Sequence, residues 1–146
     1  MANKIVLIGQ GRYDEFIAAG AITPGHLIEM DSAGKVVVHN SEGAYAERLI
    51  AIEDALQGKT VTDAYASGAL VPTHVGAPGD VVQMFLKAGE NVAIGADLIS
   101  AGDGSLIAAA SVSSGVTIEQ TIGKATEALD LSASGAVKTL LAVRLL

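Results

Sequence analysis

ITPGHLIEMDSAGKVVVH, residues 22–39, carries the pattern that decides the fold. Thr23-Pro24-Gly25 is a turn signal, because proline fixes one backbone angle and glycine accepts the next. His26 to Met30 then reads as a strand, Asp31-Ser32-Ala33-Gly34 as a turn, and Lys35 to His39 as a second strand. Two short β-prone runs separated by four turn-forming residues predict a β-hairpin.

The same grammar extends in both directions. Upstream, Lys4 to Ile8 reads as a strand closed by Gly9-Gln10-Gly11. Downstream, Arg48 to Glu53, Leu70 to His74 and Val81 to Leu86 read as strands, with turns at residues 55–60, 77–80 and 88–91. Leu98 to Ser100 and Leu106 to Ala110 flank a Gly-containing loop and predict a further hairpin. Ile122 to Leu129 and Val137 to Leu145 form the last pair. Strands at intervals of about ten residues with glycine turns predict an all-β domain, barrel-like or sandwich-like. Only Asp14 to Ala19 and Thr62 to Ser67 leave room for a short helix, so the alternative is a mainly β chain with one or two short helices.

Composition sets the limits. The 146 residues suit one domain with a core of its own. Residues 1–20 are read as an N-terminal arm or first strand, and residues 21–146 as the β-rich domain. Half the residues are hydrophobic but only 3% are aromatic, so the core must be built from small aliphatic side chains. No cysteine is present, which excludes disulfides and thiolate metal sites. The net charge of −7 disfavours nucleic acid as a partner, since phosphate binding needs a basic surface. No apolar run is long enough for a membrane span or signal-peptide core, so a soluble chain made in the cytoplasm is expected, with no membrane partner.

Several motifs suggest chemistry and fall short of it. Gly9-Gln10-Gly11 follows an apolar run, as a dinucleotide fingerprint would, but Asp14 stands where the third glycine should be. Gly58-Lys59-Thr60 resembles the end of a phosphate loop, but Glu53 replaces the required earlier glycine, and a polar turn is the simpler reading. His26 and His39 can face each other across the hairpin. With His74 they supply no third ligand at a fixed spacing, and they read as cross-strand surface residues. Ser114-Gly115 and Ser134-Gly135 lack the flanking glycines of a nucleophile elbow, and Gly102-Asp103-Gly104 is too short for a calcium loop. No catalytic, metal or cofactor residue is assigned, and no enzyme activity is expected.

The order of the turns is more informative than any one motif. It runs through Ile22-Thr23-Pro24-Gly25, Gly58-Lys59-Thr60-Val61, Gly68-Ala69-Leu70-Val71-Pro72 and Pro78-Gly79-Asp80. It continues with Gly89-Glu90-Asn91, Gly95-Ala96-Asp97-Leu98 and Gly102-Asp103-Gly104. It ends with residues 123–130 and Ala142-Val143-Arg144-Leu145. Over residues 20–146 this resembles the head decoration, or capsid cement, proteins of tailed bacteriophages, of the lambda type. The resemblance implies a compact β-tulip domain and a homotrimer on the outer surface of an expanded icosahedral capsid. It also implies a clamping contact with the major capsid protein, made in that family by an N-terminal arm. Lys4, Ile5, Val6, Leu7 and Ile8 have the β-branched, apolar character to add a strand to a neighbour's sheet, or else to form an internal strand. The hydrophobic content places part of the aliphatic surface in a subunit interface. The alternative function is a small-ligand or carbohydrate-binding β-domain, and a third is a minor enzyme of a phage region.

Overall fold

The computed structural model describes residues 3–112 and 115–146. Thirteen strands run along these residues, together with two single turns of 3₁₀ helix at Ala55–Gln57 and Ala109–Ser111. In chain order the strands are β1 (Val6–Ile8), β2 (Arg12–Ile17), β3 (Leu27–Met30), β4 (Val36–Val38), β5 (Leu49–Ala51), β6 (Leu70–Val75) and β7 (Val81–Leu86). There follow β8 (Asn91–Val92), β9 (Asp97–Ser100), β10 (Leu106–Ala108), β11 (Gly123–Ala125), β12 (Leu129–Asp130) and β13 (Thr139–Leu145). The expected all-β class is what forms. Ser114 lies outside the described residues.

The strands close into two small barrels. In the first, β7, β10, β9, β11 and β13 are neighbours in that order, and β13 returns to pair with β7 along six residues, Thr139↔Leu86 to Arg144↔Val81. In the second, the order is β2-β6-β5-β3-β4, and a parallel bridge between Ala18 and Val36 joins its two edges. β1 pairs with the first half of β7, and β10 takes the end of the same side at Leu106↔Leu86.

Alternation fuses the barrels. Ile28 and Leu49 are paired and face the interior of the second barrel with Val36, Ala51 and Val71. Their neighbours Leu27 and Ile50 are also paired, but face the other way, into a core shared with Ile5, Val82, Met84, Leu86, Leu141 and Val143. Successive strand residues point to opposite faces, so β3 and β5 carry apolar side chains on both. In β7 and β13 the inner residues are fully buried, while Gln83, Phe85, Leu140 and Ala142 lie on the outer face, half-buried.

The hairpin of residues 22–39 forms as read, with Ile28↔Val38 and Met30↔Val36 in register. Asp31 Oδ1 accepts the amides of Ala33 and Lys35, both at 2.9 Å, which fixes the turn. The hairpin of β9 and β10 also forms. Neither of the two stretches that left room for a short helix forms one. Asp14 to Ile17 lies in β2, which pairs along its full length with β6 from Arg12↔Val75 to Ile17↔Leu70, and Ala18 bridges Val36. Continuous cross-strand pairing overrides weak local propensity there. Thr62 to Ser67 is a turn in which Asp63 accepts the Thr60 amide and Tyr65 bridges Ile22. The run Ile122 to Leu129 divides into β11 and β12, because the amide and hydroxyl of Thr126 both turn to the Ala142 carbonyl.

Candidate interaction surface

Gly9-Gln10-Gly11 does bind an anion, and the anion belongs to the protein. The amides of Gln10 and Gly11 donate to Asp80 at 2.8 and 3.1 Å, the Ala77 amide donates at 2.9 Å, and His74 Nε2 lies 2.8 Å away. Gly11 is required by the close approach: a Cβ there would fall 2.3 Å from the Val75 carbonyl oxygen and 2.7 Å from Asp80 Oδ2. Burial pushes the Asp80 carboxyl up, but the hydrogen bonds from Ala77, Gln10 and His74 together hold it below the usual carboxylate range. The cluster ties the β1–β2 connection to the turn that opens β7.

All three histidines are buried, which corrects the expectation of surface residues: His26 and His74 are 6% exposed and His39 2%. Nor do His26 and His39 oppose each other, since the His39 amide bonds to the Leu27 carbonyl. Both faces of this region are covered by the second layer of strands, which the alternation of one strand cannot reveal. His39 instead meets Ser100, with Nδ1 2.6 Å from Oγ, and Glu29 approaches Nε2 at 3.9 Å. The Ser-His-Glu order resembles a hydrolytic triad. Ser100 is 0% exposed, however, and its Oγ also accepts the Gly102 amide at 3.1 Å. A nucleophile must reach a substrate, and this hydroxyl is sealed in the core, where it satisfies the His39 ring.

A groove of about 590 Å³ lies on the outside of the first barrel. Its floor is the paired Phe85 and Leu140, and Val61, Val137 and Thr139 form its walls. Lys138 and Glu127 place opposite charges on the rim. Lys138 Nζ lies 4.9 Å from the centre of the Phe85 ring and 2.7 Å from His26 Nε2. His26 Nδ1 accepts the Thr23 amide at 3.1 Å. Burial, reinforced by the Lys138 charge, lowers the His26 pKa to about 4. Gly58-Lys59-Thr60 closes the loop between β5 and β6 as a polar turn, with the Lys59 amide on the Asp54 carbonyl. Among the described residues no cluster of three or more metal-ligating side chains occurs.

Lys4 to Ile8 lies at a sheet edge. The Ile5 side chain is fully buried, its amide donates to Glu53 at 3.0 Å, and its carbonyl accepts the Gln83 amide. Val6 and Ile8 pair with β7, Lys4 is exposed, and Ile8 is 66% exposed. Among the described residues β1 pairs only with β7, which leaves its other side open. Other large apolar side chains stand in solvent: Leu56, on the first 3₁₀ turn, is 99% exposed, and Ile94, Ile118 and Val137 are also largely exposed. Nothing in the sequence pattern singled out Phe85, Leu140 or Leu56, because an outward residue of a barrel strand and a leucine in a turn each have many ordinary neighbours.

No known family matches the sequence, and no curated protein matches it. The fold is similar to that of a solved structure, the N base of the head fibre gp8.5 of bacteriophage phi29. The TM-score is 0.58 at 12% sequence identity, over 92% of this chain and 93% of that one.

Proposed function

We propose that the chain is a structural virion protein that seats on the outside of an expanded phage head and reinforces contacts between major capsid proteins. The observation that carries this reading is the fold likeness, nearly end to end, to the base of a phage head fibre. Two further features support it. The residues with catalytic potential, Ser100, His39, His74 and Asp80, are buried and turned to one another. The outer surface carries several exposed apolar side chains, as an interacting protein requires.

The capsid contact is assigned to the free side of β1, with Lys4 and Ile8 accessible to a strand of the capsid protein. Strand addition supplies affinity through main-chain hydrogen bonds, and side chains at alternate positions supply specificity. Binding the expanded shell and not its precursor shifts the equilibrium toward the expanded form. Many copies, each a homotrimer, make modest single-site affinity sufficient. Co-sedimentation with expanded heads and with unexpanded precursors tests the reading. Retention on expanded heads alone supports it, and absence from both overturns it.

The second reading, a small-ligand or carbohydrate-binding domain, draws on the groove over Phe85 and Leu140, whose mixture of apolar floor and polar rim suits such a ligand. Thermal shift against a panel of glycans tests it: a melting temperature that rises with one sugar favours this reading, and a flat panel removes it.

A further inference from the structure

We infer that the groove over Phe85 and Leu140 receives the 54–58 turn of a second copy of this chain, with Leu56 as the inserted side chain. Leu56 is the most exposed large apolar residue among the described ones, and no residue of its 3₁₀ turn is buried. The turn is nonetheless held in shape. The amides of Gln57 and Lys59 donate to the Asp54 carbonyl, and that of Gly58 to the Ala55 carbonyl. A leucine presented on a pre-shaped knob loses little freedom when it is buried, which favours a specific contact.

The groove is the matching hole. Its floor is apolar, and it opens on the outer face of β7 and β13, bordered by Thr23 and Val61. The charges also correspond. Asp54 and Lys59 flank Leu56, and Lys138 and Glu127 stand on the groove rim. One acid and one base on each side allow an inserted turn to pair Asp54 with Lys138 and Lys59 with Glu127, and such complementarity favours one orientation. Val61 lies in the groove wall only a few residues beyond the knob, so one connection between β5 and β6 supplies both the knob and part of a hole. Leu56, standing free in solvent, does not fill the groove of its own chain.

Each copy offers one knob and one hole, so repeating the contact builds a ring where the rotation closes. A ring of three rests on the reading of the chain as a small cluster on a phage head. The contact itself is tested on the free protein, so a failure to bind heads leaves this result untouched. Leu56→Asp spoils the knob, and Val137→Asp spoils the exposed wall of the groove. Both positions are solvent-exposed, and circular dichroism confirms that each variant folds.

Native mass measurement and sedimentation equilibrium at about 10 μM read the outcome. The expected result is a closed oligomer for the unmodified chain and a monomer for each variant alone, with the dissociation constant raised at least tenfold. The equimolar mixture of the two variants is expected to give a 1:1 dimer, since one intact knob and one intact groove remain. An unmodified chain that is monomeric overturns the inference. So does a variant that keeps the full oligomer, or a mixture that stays monomeric.

Discussion

His26 and Asp80 make stability depend on pH in two separate windows. An unfolded histidine takes up a proton near pH 6.5, whereas His26 in the fold does so only near 4, because of burial and the Lys138 charge. Between those values the unfolded chain binds more protons, so stability falls as pH drops from 6.5 to 4, by up to about 3 kcal/mol. His26→Asn, which can still accept the Thr23 amide, is expected to flatten this limb; urea midpoints at pH 7 and pH 5 measure it. Asp80 acts lower. Its carboxyl is held below the ordinary range in the fold, so its contribution is present above pH 4 and is lost as pH falls through the folded value. Asp80→Asn is expected to cost about 1.5–3 kcal/mol at pH 7, the worth of hydrogen bonds to a buried charge, and to leave a shallower acid transition. Neither role was legible beforehand. The sequence pairs Gly9-Gln10-Gly11 with an external phosphate as readily as with Asp80, which stands some seventy positions away, and only the fold chooses.

Strands bounded by strong turns were the legible ones. The hairpin of β3 and β4, the hairpin of β9 and β10, and β7 follow from alternation and glycine-bearing turns, which act over a few residues. β2 was not legible: Arg12-Tyr13-Asp14-Glu15 presents charges that an isolated chain would leave in water, and only the six paired residues of β6 hold them in a strand. The seam between β11 and β13 likewise rests on a contact invisible in sequence. A Cβ on Gly123 would lie 2.4 Å from the Arg144 carbonyl oxygen and 2.7 Å from Val143 Cγ1. Gly123→Ala is therefore expected to force this seam apart and to destabilise the protein by about 1–3 kcal/mol. Gly20→Ala, where nothing lies within 4 Å, is the matched control and is expected to leave the melting temperature nearly unchanged. Thermal melts of both variants decide the comparison.

Two fused barrels bury these polar clusters and set apolar side chains on the outside, which supports the proposal that the molecule acts through its surface. Composition pointed that way, because 50% hydrophobic residues in a chain of 146 exceed what one small core hides. It could not say which surface, since the outward faces of β7, β13 and β1 are defined only once the barrels close. Truncating residues 1–10 is a poor probe of β1, because it also takes Ile5 from the core and the Gln10 amide from Asp80. Ile8→Lys alters an exposed position on the open edge. It is expected to leave folding within about 0.5 kcal/mol while lowering capsid affinity at least tenfold. The decisive measurement is co-sedimentation of the unmodified chain and of Ile8→Lys with expanded phage heads, in parallel with unexpanded precursors. The prediction is saturable retention of the unmodified chain on expanded heads only, with Ile8→Lys left in the supernatant. An unmodified chain that stays in the supernatant with both particles contradicts the account.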